Sequence, residues 1–437
     1  MASTGLSKTF SSGNRKTWTW SGWIKRGSGL GGDHALFSTG TYPDLFQFIF
    51  NAPDDCLRAL NYESGTDNLD IYTNARYRDI NGWYHIVLAV DTTQATSSDR
   101  AKLYVNGDQV TSLQASTYPS QNTDLKINLA QAHSVGYRVG NSDQYFDGSM
   151  AHVHFIDGTA YDADTFGEYD STTGIWTAKF GPSVTYGTNG FFLKFENSGA
   201  FGTDSSGNGN TFTVNGTMTQ NIDTPNNVFA TMNPLDNYYN SSTFTNGNNT
   251  VQTGTSQYTY NTSTLGVSSG KWYCEIEYDA TTSADNALIG ITSEFSTAST
   301  EELGDNSNDW GYYATGEYRN NNSWSSYGNT YTVGDIIGIA LDLDNGKAYY
   351  HKNGTYVNSG NPNTGSNGYT VTTEKNYVFV AIVINQGGAN IWSANFGNGY
   401  FGSTQISSAG TNASGIGIFE YDVPTGYTAL STKGLNL

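Results

Sequence analysis

Residues 335–357, with the sequence DIIGIALDLDNGKAYYHKNGTYV, show how apolar and polar positions alternate in this chain. The apolar run from Ile336 to Leu343 predicts a strand that is buried on both faces. The Asn-Gly pairs at 345–346 and 353–354 favour tight hairpins, because both residue types tolerate positive φ. The stretch therefore predicts three successive antiparallel strands in the core of a β-sandwich.

The same pattern of short apolar runs and polar turns recurs along the whole chain, while helical periodicity is almost absent. TWTWSGWI from Thr17 alternates, which places Trp18 and Trp20 on one face. WYHIVLAV from Trp83 predicts a buried central strand, and AKLYVNGDQV from Ala101 predicts a hairpin. We predict an all-β fold of two tandem antiparallel β-sandwich (jelly-roll) domains.

The pattern divides the chain into a first sandwich at 1–165, a connector at 166–235 and a second sandwich at 236–437. The connector contains four phenylalanines that need burial, which favours a connector packed on the first sandwich over a flexible linker. These residues are Phe191, Phe192, Phe195 and Phe212.

Composition indicates a folded chain and limits the classes of partner that it can bind. Of the 437 residues, 14% are aromatic and 14% are charged, whereas disordered chains are poor in aromatics and rich in charge. The net charge is −19, with 39 acidic and 20 basic residues, and both halves of the sequence are acidic. A negative surface disfavours nucleic acid and anionic membranes as partners.

Cysteine usage and hydropathy argue against a disulfide framework, a signal peptide and membrane insertion. The chain has two cysteines, Cys56 and Cys274, placed in different predicted domains, so we expect buried thiols and no disulfide framework. No apolar run follows Met1, and we expect no signal peptide. No stretch approaches the ~20 apolar residues of a membrane helix, so we expect no membrane insertion.

The first sandwich contains, in order, WYHIVLAVD from Trp83, LYVNG from Leu103 and FDGSMAHVHF from Phe146. This order resembles the laminin-G or concanavalin A-like jelly roll, in which the corresponding strands lie in one sandwich. Jelly rolls of this type often hold Ca²⁺, and three aspartates lie near turns where oxygen ligands could converge. Ordinary turn aspartates are the alternative, so Ca²⁺ is the one cofactor expected here, without committed ligands. The three are Asp143, Asp147 and Asp204.

The second sandwich contains GKWYCEIE from Gly270, IGI from Ile289, GDIIGIALDLDNG from Gly334 and ANFG from Ala394. This series resembles the SPRY domain, a binding module without catalytic machinery that binds through loops at one end of the sandwich. The resemblance implies a protein that presents loops to a partner.

Nearly the whole chain also resembles virion structural proteins of marine tailed phages. The similarity rests on FSSGNRKTWTWSGWIKR from Phe10, NVFATMNPL from Asn227 and PTGYTALST from Pro424, together with the two sandwiches. It implies a virion surface protein, such as a tail fibre, spike or capsid decoration, synthesised in the host cytoplasm. It also implies contacts with other virion proteins and a homo-oligomer, which in phage fibres and spikes is commonly a trimer.

An acidic strand is the sharpest catalytic candidate. Glu275, Glu277 and Asp279 alternate and so share one strand face, and retaining glycosidases need two carboxyls about 5 Å apart. The alternative is the acidic outer face of an edge strand, with Cys274 and Ile276 turned inward. Because SPRY domains are polar at these positions, we favour the alternative and expect no enzymatic activity.

Two histidines form a weaker candidate site. His152 and His154 share a strand face by alternation, at a spacing that can suit a metal. No cysteine or carboxylate at a recognised zinc spacing accompanies them, which favours a polar sandwich face instead. We predict no metal ligands here.

The candidate ligand-binding site is an aromatic segment before the hairpin at 335–357. Tyrosine and tryptophan among Asn, Ser and Gly give large contact area at low entropic cost, and sugar rings stack on such side chains. The alternative is that Trp310, Tyr312 and Trp324 belong to the sandwich core. The predicted site comprises Trp310, Tyr312, Tyr313, Tyr318, Trp324 and Tyr327.

Three functions follow as hypotheses. The leading one is a virion surface protein that binds host-surface glycan or protein, or decorates the particle. The second is a purely structural component with both sandwiches in assembly contacts. The third, a polysaccharide-degrading glycosidase, is the least favoured. Because coiled-coil heptads are absent, any homo-oligomer must form through sheet faces or loops.

Overall fold

The structure is a computed structural model of the chain, and it divides into two compact units. The first unit comprises residues 1–220 with 224–226, and the second comprises 221–223 with 227–437. The residues described are 3–171, 174–236, 242–254, 259–282, 287–294, 301–382 and 389–436.

Sixteen strands and two short 3-10 helices, Ser97–Asp99 and Ala163–Thr165, form the described part of the first unit. The strands are β1 Gly5–Thr9, β2 Thr17–Arg26, β3 His34–Thr41, β4 Asp44–Asn51, β5 Cys56–Glu63, β6 Thr66–Arg76, β7 Trp83–Asp91, β8 Ala101–Val105, β9 Asp108–Gln109, β10 Leu113–Thr117, β11 Ala132–Val135, β12 Gly148–Asp157, β13 Gly167–Tyr169, β14 Trp176–Ala178, β15 Phe191–Leu193 and β16 Thr213–Asn215.

Two antiparallel sheets pack face to face in the first unit. One has eight strands in the order β10-β6-β5-β4-β3-β11-β1-β16, and the other has six in the order β15-β12-β2-β7-β8-β9. Trp18 and Trp20 on β2 are fully buried and meet Phe46 and Phe48 of the opposite sheet edge to face, each at 5.3 Å between ring centroids. Strand alternation therefore places both tryptophans in the core between the sheets.

The predicted connector contributes to both units. Phe191 begins β15, which pairs with β12, and Phe191 and Phe212 are buried in the first core. Phe192 is also buried, against His154. Residues 227–235, which the sequence assigned to the connector, belong to the second unit instead.

Seventeen strands and two 3-10 helices, Val357–Ser359 and Gly434–Asn436, form the described part of the second unit. The strands are β17 Thr243–Thr245, β18 Thr250–Gln252, β19 Asn261–Thr262, β20 Lys271–Thr281, β21 Leu288–Thr292, β22 Asp309–Tyr313, β23 Glu317–Asn320, β24 Ser323–Ser326, β25 Ile336–Asp342, β26 Lys347–Lys352, β27 Thr355–Tyr356, β28 Tyr369–Thr370, β29 Val378–Ile382, β30 Asn390–Asn395, β31 Tyr400–Phe401, β32 Thr404–Gln405 and β33 Thr428–Ala429.

Two sheets again enclose the core of the second unit. A nine-stranded sheet runs β17-β18-β30-β20-β25-β26-β27, with β28 on β26 and β33 parallel to β20. A six-stranded antiparallel sheet runs β19-β29-β21-β22-β23-β24. The prediction of an all-β fold with two antiparallel β-sandwiches is confirmed.

The hairpin predicted at 335–357 is present as β25, β26 and β27. Its second turn has the predicted form, with positive φ at both Asn353 and Gly354. The first turn is longer than predicted, because Asp342 accepts hydrogen bonds from the backbone and side-chain N–H groups of Asn345, and Gly346 has positive φ. The carboxylate of Asp342 therefore stabilises a turn.

The C-terminal strap, residues 411–430, covers the outer face of the nine-stranded sheet. Phe419, Tyr427 and Ala429 of the strap are buried against Tyr273 and Tyr349 of the sheet. Within the part of the chain that the structure describes, no helix is long and apolar enough to cross a membrane.

Candidate functional site

The edge of the six-stranded sheet presents the exposed aromatic side chain of the predicted site. Strands β23 and β24 form a hairpin whose turn residues, Asn321 and Asn322, both have positive φ. Asparagine tolerates this conformation, which suits the twist of a two-residue hairpin turn. The turn pairs Arg319 on β23 with Trp324 on the edge strand β24, so their side chains share the outer face.

Trp324 lies over two other side chains on that face. Its ring centroid is 4.4 Å from that of Tyr313, and the Arg319 guanidinium carbon lies 4.8 Å from it. The indole remains 44% exposed. Because a guanidinium is attracted to the face of an aromatic ring, this contact holds the indole in place while leaving surface for a ligand.

Carboxylates and an amide fix the arginine beneath Trp324. Arg319 Nη1 donates to Glu302 Oε2 at 2.6 Å, and Nη2 donates to Asn322 Oδ1 at 2.7 Å and forms an ion pair with Asp305. The Tyr313 hydroxyl also donates to Glu302. We call this set the Trp324 platform. It comprises Glu302, Asp305, Tyr313, Arg319, Asn322 and Trp324.

Strand alternation separates the other predicted residues from this platform. Trp310, Tyr312 and Tyr327 are 2%, 0% and 5% exposed and belong to the core between the sheets. A surface ligand cannot contact side chains buried there, so their assignment to the binding site is wrong. Tyr318 pairs with Tyr312 across the strands and also faces the core side.

Tyr318 is half-buried and has a tightly packed partner. Its ring stacks on Tyr369 with 3.6 Å between centroids and 9° between planes. Of the predicted residues, the structure therefore brings together Tyr313 and Trp324. Sequence reasoning missed Arg319, Glu302 and Asp305, whose role depends on the loop at 301–305 meeting a strand edge.

The electrostatics of the platform disfavour an anionic ligand. Two carboxylates, Glu302 and Asp305, face one guanidinium. Nearby Asp309 is fully buried, and burial raises the pKa of its carboxyl to about 6. An acidic surface in a chain with net charge −19 repels polyanions.

The catalytic candidate Glu275 lies in a closed hydrogen-bond network. Its carboxylate accepts hydrogen bonds from the backbone N–H groups of Glu420 and Tyr421 at 2.8 and 2.9 Å, and from the Tyr273 hydroxyl at 2.9 Å. Glu275 is 0% exposed, and burial raises the pKa of its carboxyl to about 7. With its oxygens occupied by the strap, Glu275 has no access to a substrate.

The network also fixes the tautomer of His351. The backbone N–H of Gly354 donates to His351 Nδ1 at 3.1 Å, so that nitrogen carries no proton. The proton is on Nε2, which donates to the Tyr273 hydroxyl oxygen at 2.6 Å. Burial lowers the pKa of His351 to about 3, in agreement with a neutral ring. The Tyr273 hydroxyl proton is therefore free to donate to Glu275.

The structure places Glu275 in the interior of a sheet. Strand β20 lies between β30 and β25, so the alternative was wrong to treat β20 as an edge strand. The outer face of β20 is covered by the C-terminal strap. Cys274 and Ile276 point into the core, as the alternative predicted. Glu277 is partly buried, and Asp279 accepts a hydrogen bond from the Ser393 hydroxyl at 2.7 Å.

The two histidines on β12 do not share a metal-binding geometry. A register shift between Ala151 and His154 and a positive φ at His152 break the alternation between them. His154 Nδ1 hydrogen-bonds the Tyr186 hydroxyl at 2.9 Å, and its ring stacks on Phe192. Burial lowers the pKa of both imidazoles, which serve packing on the outer face of the six-stranded sheet.

The three aspartates considered for Ca²⁺ already have partners within the first unit. Asp143 forms an ion pair with Arg138, and Asp147 accepts a backbone hydrogen bond from Gly29. Asp204 accepts backbone hydrogen bonds within its own Gly-rich loop. Among the described residues, no three His, Cys, Asp or Glu side chains come together as a metal site requires. The expectation of Ca²⁺ in the first sandwich stays a prediction.

Two family models match the chain, one in each sandwich. The model for the concanavalin A-like lectin/glucanases superfamily matches residues 4–164, and the model for the SPRY domain matches residues 271–399. The chain joins a concanavalin A-like domain to a SPRY domain. Both domain resemblances are thus confirmed, and the Trp324 platform and Glu275 lie within the SPRY domain.

Solved structures also resemble part of the chain. The chain is similar to the SPRY domain of human HERC1, at 16% identity and a TM-score of 0.30, over 37% of this chain and 96% of that one. It is also similar to stonustoxin, at 16% identity and a TM-score of 0.29, over 37% of this chain and 26% of that one. At such scores neither likeness carries an argument about function.

Proposed function

We propose that this chain is a non-enzymatic virion surface protein, a fibre, spike or decoration, that binds host-surface glycan or protein. Concanavalin A-like and SPRY domains are often binding modules, and the chain contains one of each. The resemblance of nearly the whole sequence to marine tailed-phage virion proteins supports the location. The Trp324 platform is the observation that supports binding.

A neutral glycan suits the chemistry of the platform best. The exposed face of Trp324 offers a flat apolar surface for the C–H face of a sugar ring, as aromatic side chains do in many binding sites. Asp305 and Asn322 place fixed oxygens beside it that can accept hydrogen bonds from sugar hydroxyls. Because Arg319 holds these groups together, little side-chain entropy remains to be lost on binding.

The absence of catalysis belongs to the same proposal. The acidic strand that suggested a glycosidase has its first carboxylate, Glu275, buried beneath the strap and bonded to backbone N–H groups. A glycosidase needs two carboxyls on either side of an accessible bond. A net charge of −19 disfavours nucleic acid as a partner, and the resemblance to phage virion proteins supports a place on the particle after synthesis in the host cytoplasm.

A second candidate role is assembly of the particle. The first unit exposes Tyr169, Ile175 and Phe180 within a short stretch, at 54%, 61% and 71%. Neighbouring exposed apolar side chains mark protein contacts more often than isolated ones do. These side chains suit contacts with other virion proteins or with further copies of the chain, including the trimer expected for phage fibres.

Two measurements test the proposal. Gold-labelled antibodies against the whole chain should decorate intact particles, because a surface protein is accessible without lysis. The whole purified chain should also bind members of an array of neutral and acidic oligosaccharides, with the neutral ones preferred. Release of reducing sugar from the bound glycans should stay at the level of the buffer.

Each part of the proposal, namely location, binding and lack of catalysis, has its own contradicting result. Labelling that appears only after particles are disrupted would exclude a surface location. Surface labelling without any glycan or host-cell binding would favour the assembly role. Sugar release that disappears in Glu277→Gln would make the protein an enzyme.

A further inference from the structure

A short hairpin lies over the outer face of the six-stranded sheet in the first unit. Its strands, β13 and β14, form a two-stranded sheet of their own. Together with the 3-10 helix Ala163–Thr165 before them and Phe180 after them, they form the flap, residues 163–171 and 174–180. An isolated two-stranded hairpin is marginally stable in water, so the flap depends on its contacts with the sheet beneath it.

Three aromatic side chains of the flap each contact a different histidine of the sheet. His85 lies on β7 and alternates with Ile86, which is in the core, so the His85 ring faces outward under the flap. His152 and His154 lie on β12, two strands away. The pairs and the distances between their ring centroids are Trp176 with His85 at 5.9 Å, Phe166 with His154 at 5.2 Å and Phe180 with His152 at 5.7 Å. The flap thus rests on a cluster of three imidazoles.

The contact with Trp176 fixes the protonation state of His85. The indole Nε1–H donates to His85 Nδ1 at 3.0 Å, and because an indole N–H is a donor only, Nδ1 carries no proton. The ring proton is therefore on Nε2, which donates to the Ser21 hydroxyl oxygen at 3.0 Å. A second proton, on Nδ1, would place two N–H donors against each other. A charged His85 is consequently incompatible with the closed flap.

The other two histidines are also held neutral while the flap is closed. His154 Nδ1 hydrogen-bonds the Tyr186 hydroxyl at 2.9 Å, and His152 Nδ1 is buried without a hydrogen-bond partner among the described residues. Burial lowers the pKa of His85 from its ordinary value of 6.5 to about 3, and burial lowers the pKa of His152 and His154 as well. Because the rings are neighbours, a positive charge on His152 further disfavours one on His85 or His154.

The charged groups around the cluster compensate little for a positive charge on it. In the described part of the chain, no carboxylate is a hydrogen-bond partner of the three rings. Lys194 lowers and Glu196 raises the pKa of His152, and these two side chains pair with each other at 3.8 Å. On the flap, Lys179 pairs with Glu168 at 3.9 Å. The other charged or titratable groups on the neighbouring elements are Lys25, Lys102, Tyr104, Asp162, Asp164 and Tyr186.

We propose that mild acid opens the flap, because proton uptake by His85, His152 and His154 breaks the hydrogen bond from Trp176 and makes the three rings repel one another. Once exposed, the histidines regain their ordinary pKa of about 6.5. The closed state is therefore fully stable above this pH and loses stability as the pH falls below it. Each ring that is protonated only in the open state shifts the equilibrium toward opening about tenfold per pH unit.

Opening changes the surface of the first unit. The apolar sides of Phe166 and Trp176 become exposed, and the exposed residues Tyr169 and Ile175 move with the hairpin that carries them. Acid would thus alter the surface that is available for contacts with other proteins. This device belongs to the first unit and depends neither on the Trp324 platform nor on a location at the particle surface.

Hydrogen exchange of the whole chain, measured by mass spectrometry at pH 7.5 and pH 5.5, tests the proposal. Protection factors, corrected for the intrinsic pH dependence of exchange, are compared for peptides that contain β13 and β14 and for peptides from β2 and β7. The protection of the flap should fall about 100-fold or more, since three histidines allow up to about 1,000-fold over this range. The protection of β2 and β7 should stay constant.

Two variants assign the effect to the imidazole cluster. His85→Asn keeps an acceptor for the indole N–H but cannot take up a proton, so the response of the flap to pH should become about tenfold smaller. His351→Gln removes a histidine that is equally buried, but in the second unit, and should leave the response of the flap unchanged. Thermal unfolding at pH 7.5 checks that both variants are folded.

Three results would overturn the proposal. The first is equal protection of the wild-type flap at both pH values. The second is a loss of protection that β2 and β7 share, because that would be general unfolding in acid. The third is a folded His85→Asn variant with the full wild-type response, which would assign the pH dependence to other groups. The first two rest on the wild-type chain alone and decide the matter even where a variant does not fold.

Discussion

At the scale of single residues, the side chains of one aromatic segment differ in burial. Trp310 and Trp324 are of the same type and are fourteen positions apart in sequence, yet one is 2% exposed and the other 44%. Composition indicated that the segment matters but could not assign faces. The face depends on the register of β22, β23 and β24 and on the loop that covers Tyr313, which are long-range features.

The two tryptophans give a matched stability test. Trp310→Ala should lower the free energy of unfolding of the second unit by about 3–5 kcal/mol, because it leaves a cavity in the core. Trp324→Ala should change it by about 1 kcal/mol or less, because only its surface contacts with Tyr313 and Arg319 are lost. Chemical denaturation of the whole chain measures both. Equal losses in the two variants would mean that the tryptophans do not occupy the places described.

At the scale of elements, most strands of the sandwiches can be predicted from apolar periodicity, but the segments that pack over the sheets cannot. The hairpin β25–β26–β27 and the inward positions of Cys274 and Ile276 were predictable from alternation and turn residues. No local feature of the sequence indicates that the C-terminal strap packs on β20. The alternation of Glu275, Glu277 and Asp279 therefore suggested an exposed acidic face, whereas Glu275 is buried beneath the strap.

The strap makes the stability of the second unit depend on pH. Burial raises the pKa of Glu275 from its ordinary value of 4.5 to about 7, so the folded state holds this proton more tightly than the unfolded chain does. Its contribution is therefore most favourable below pH 4.5 and is lost as the pH rises to about 7, by up to about 3 kcal/mol.

Glu275→Gln isolates that contribution, because the variant cannot titrate at this position. The difference in unfolding free energy between wild type and variant should change by about 3 kcal/mol between pH 4.5 and pH 7.5, to the disadvantage of the wild type at the higher pH. Effects of other groups, such as the neutral His351, cancel in the difference. A constant difference across this range would show that Glu275 titrates normally.

At the scale of the whole molecule, sequence and structure agree on two sandwiches, and both family matches support them. The boundary near residues 220–227 was the least predictable feature, because one polar connector supplies strands to the first unit and a buried segment to the second. The Trp324 platform lies at a sheet edge. Its aromatic residues were visible in the sequence, but their neighbours were not.

The cysteines provide a test of the core of each unit. Cys56 and Cys274 belong to different units and are both buried and free, and burial raises the pKa of both thiols. Two thiols should react with a thiol reagent after denaturation and almost none before it. Reductant should leave the melting temperature unchanged. A reductant-dependent melting temperature would reveal a disulfide between copies of the chain.

The central claim is that this chain binds glycan through an exposed tryptophan held by Arg319. Its most direct test is calorimetric titration of the whole wild-type chain and Trp324→Ala with the neutral oligosaccharide that gives the strongest array signal. Val333→Ala, which alters another exposed apolar residue of the second unit, serves as the control. We predict that Trp324→Ala weakens binding about tenfold or more, with Val333→Ala unchanged. Equal affinity of wild type and Trp324→Ala would contradict the account.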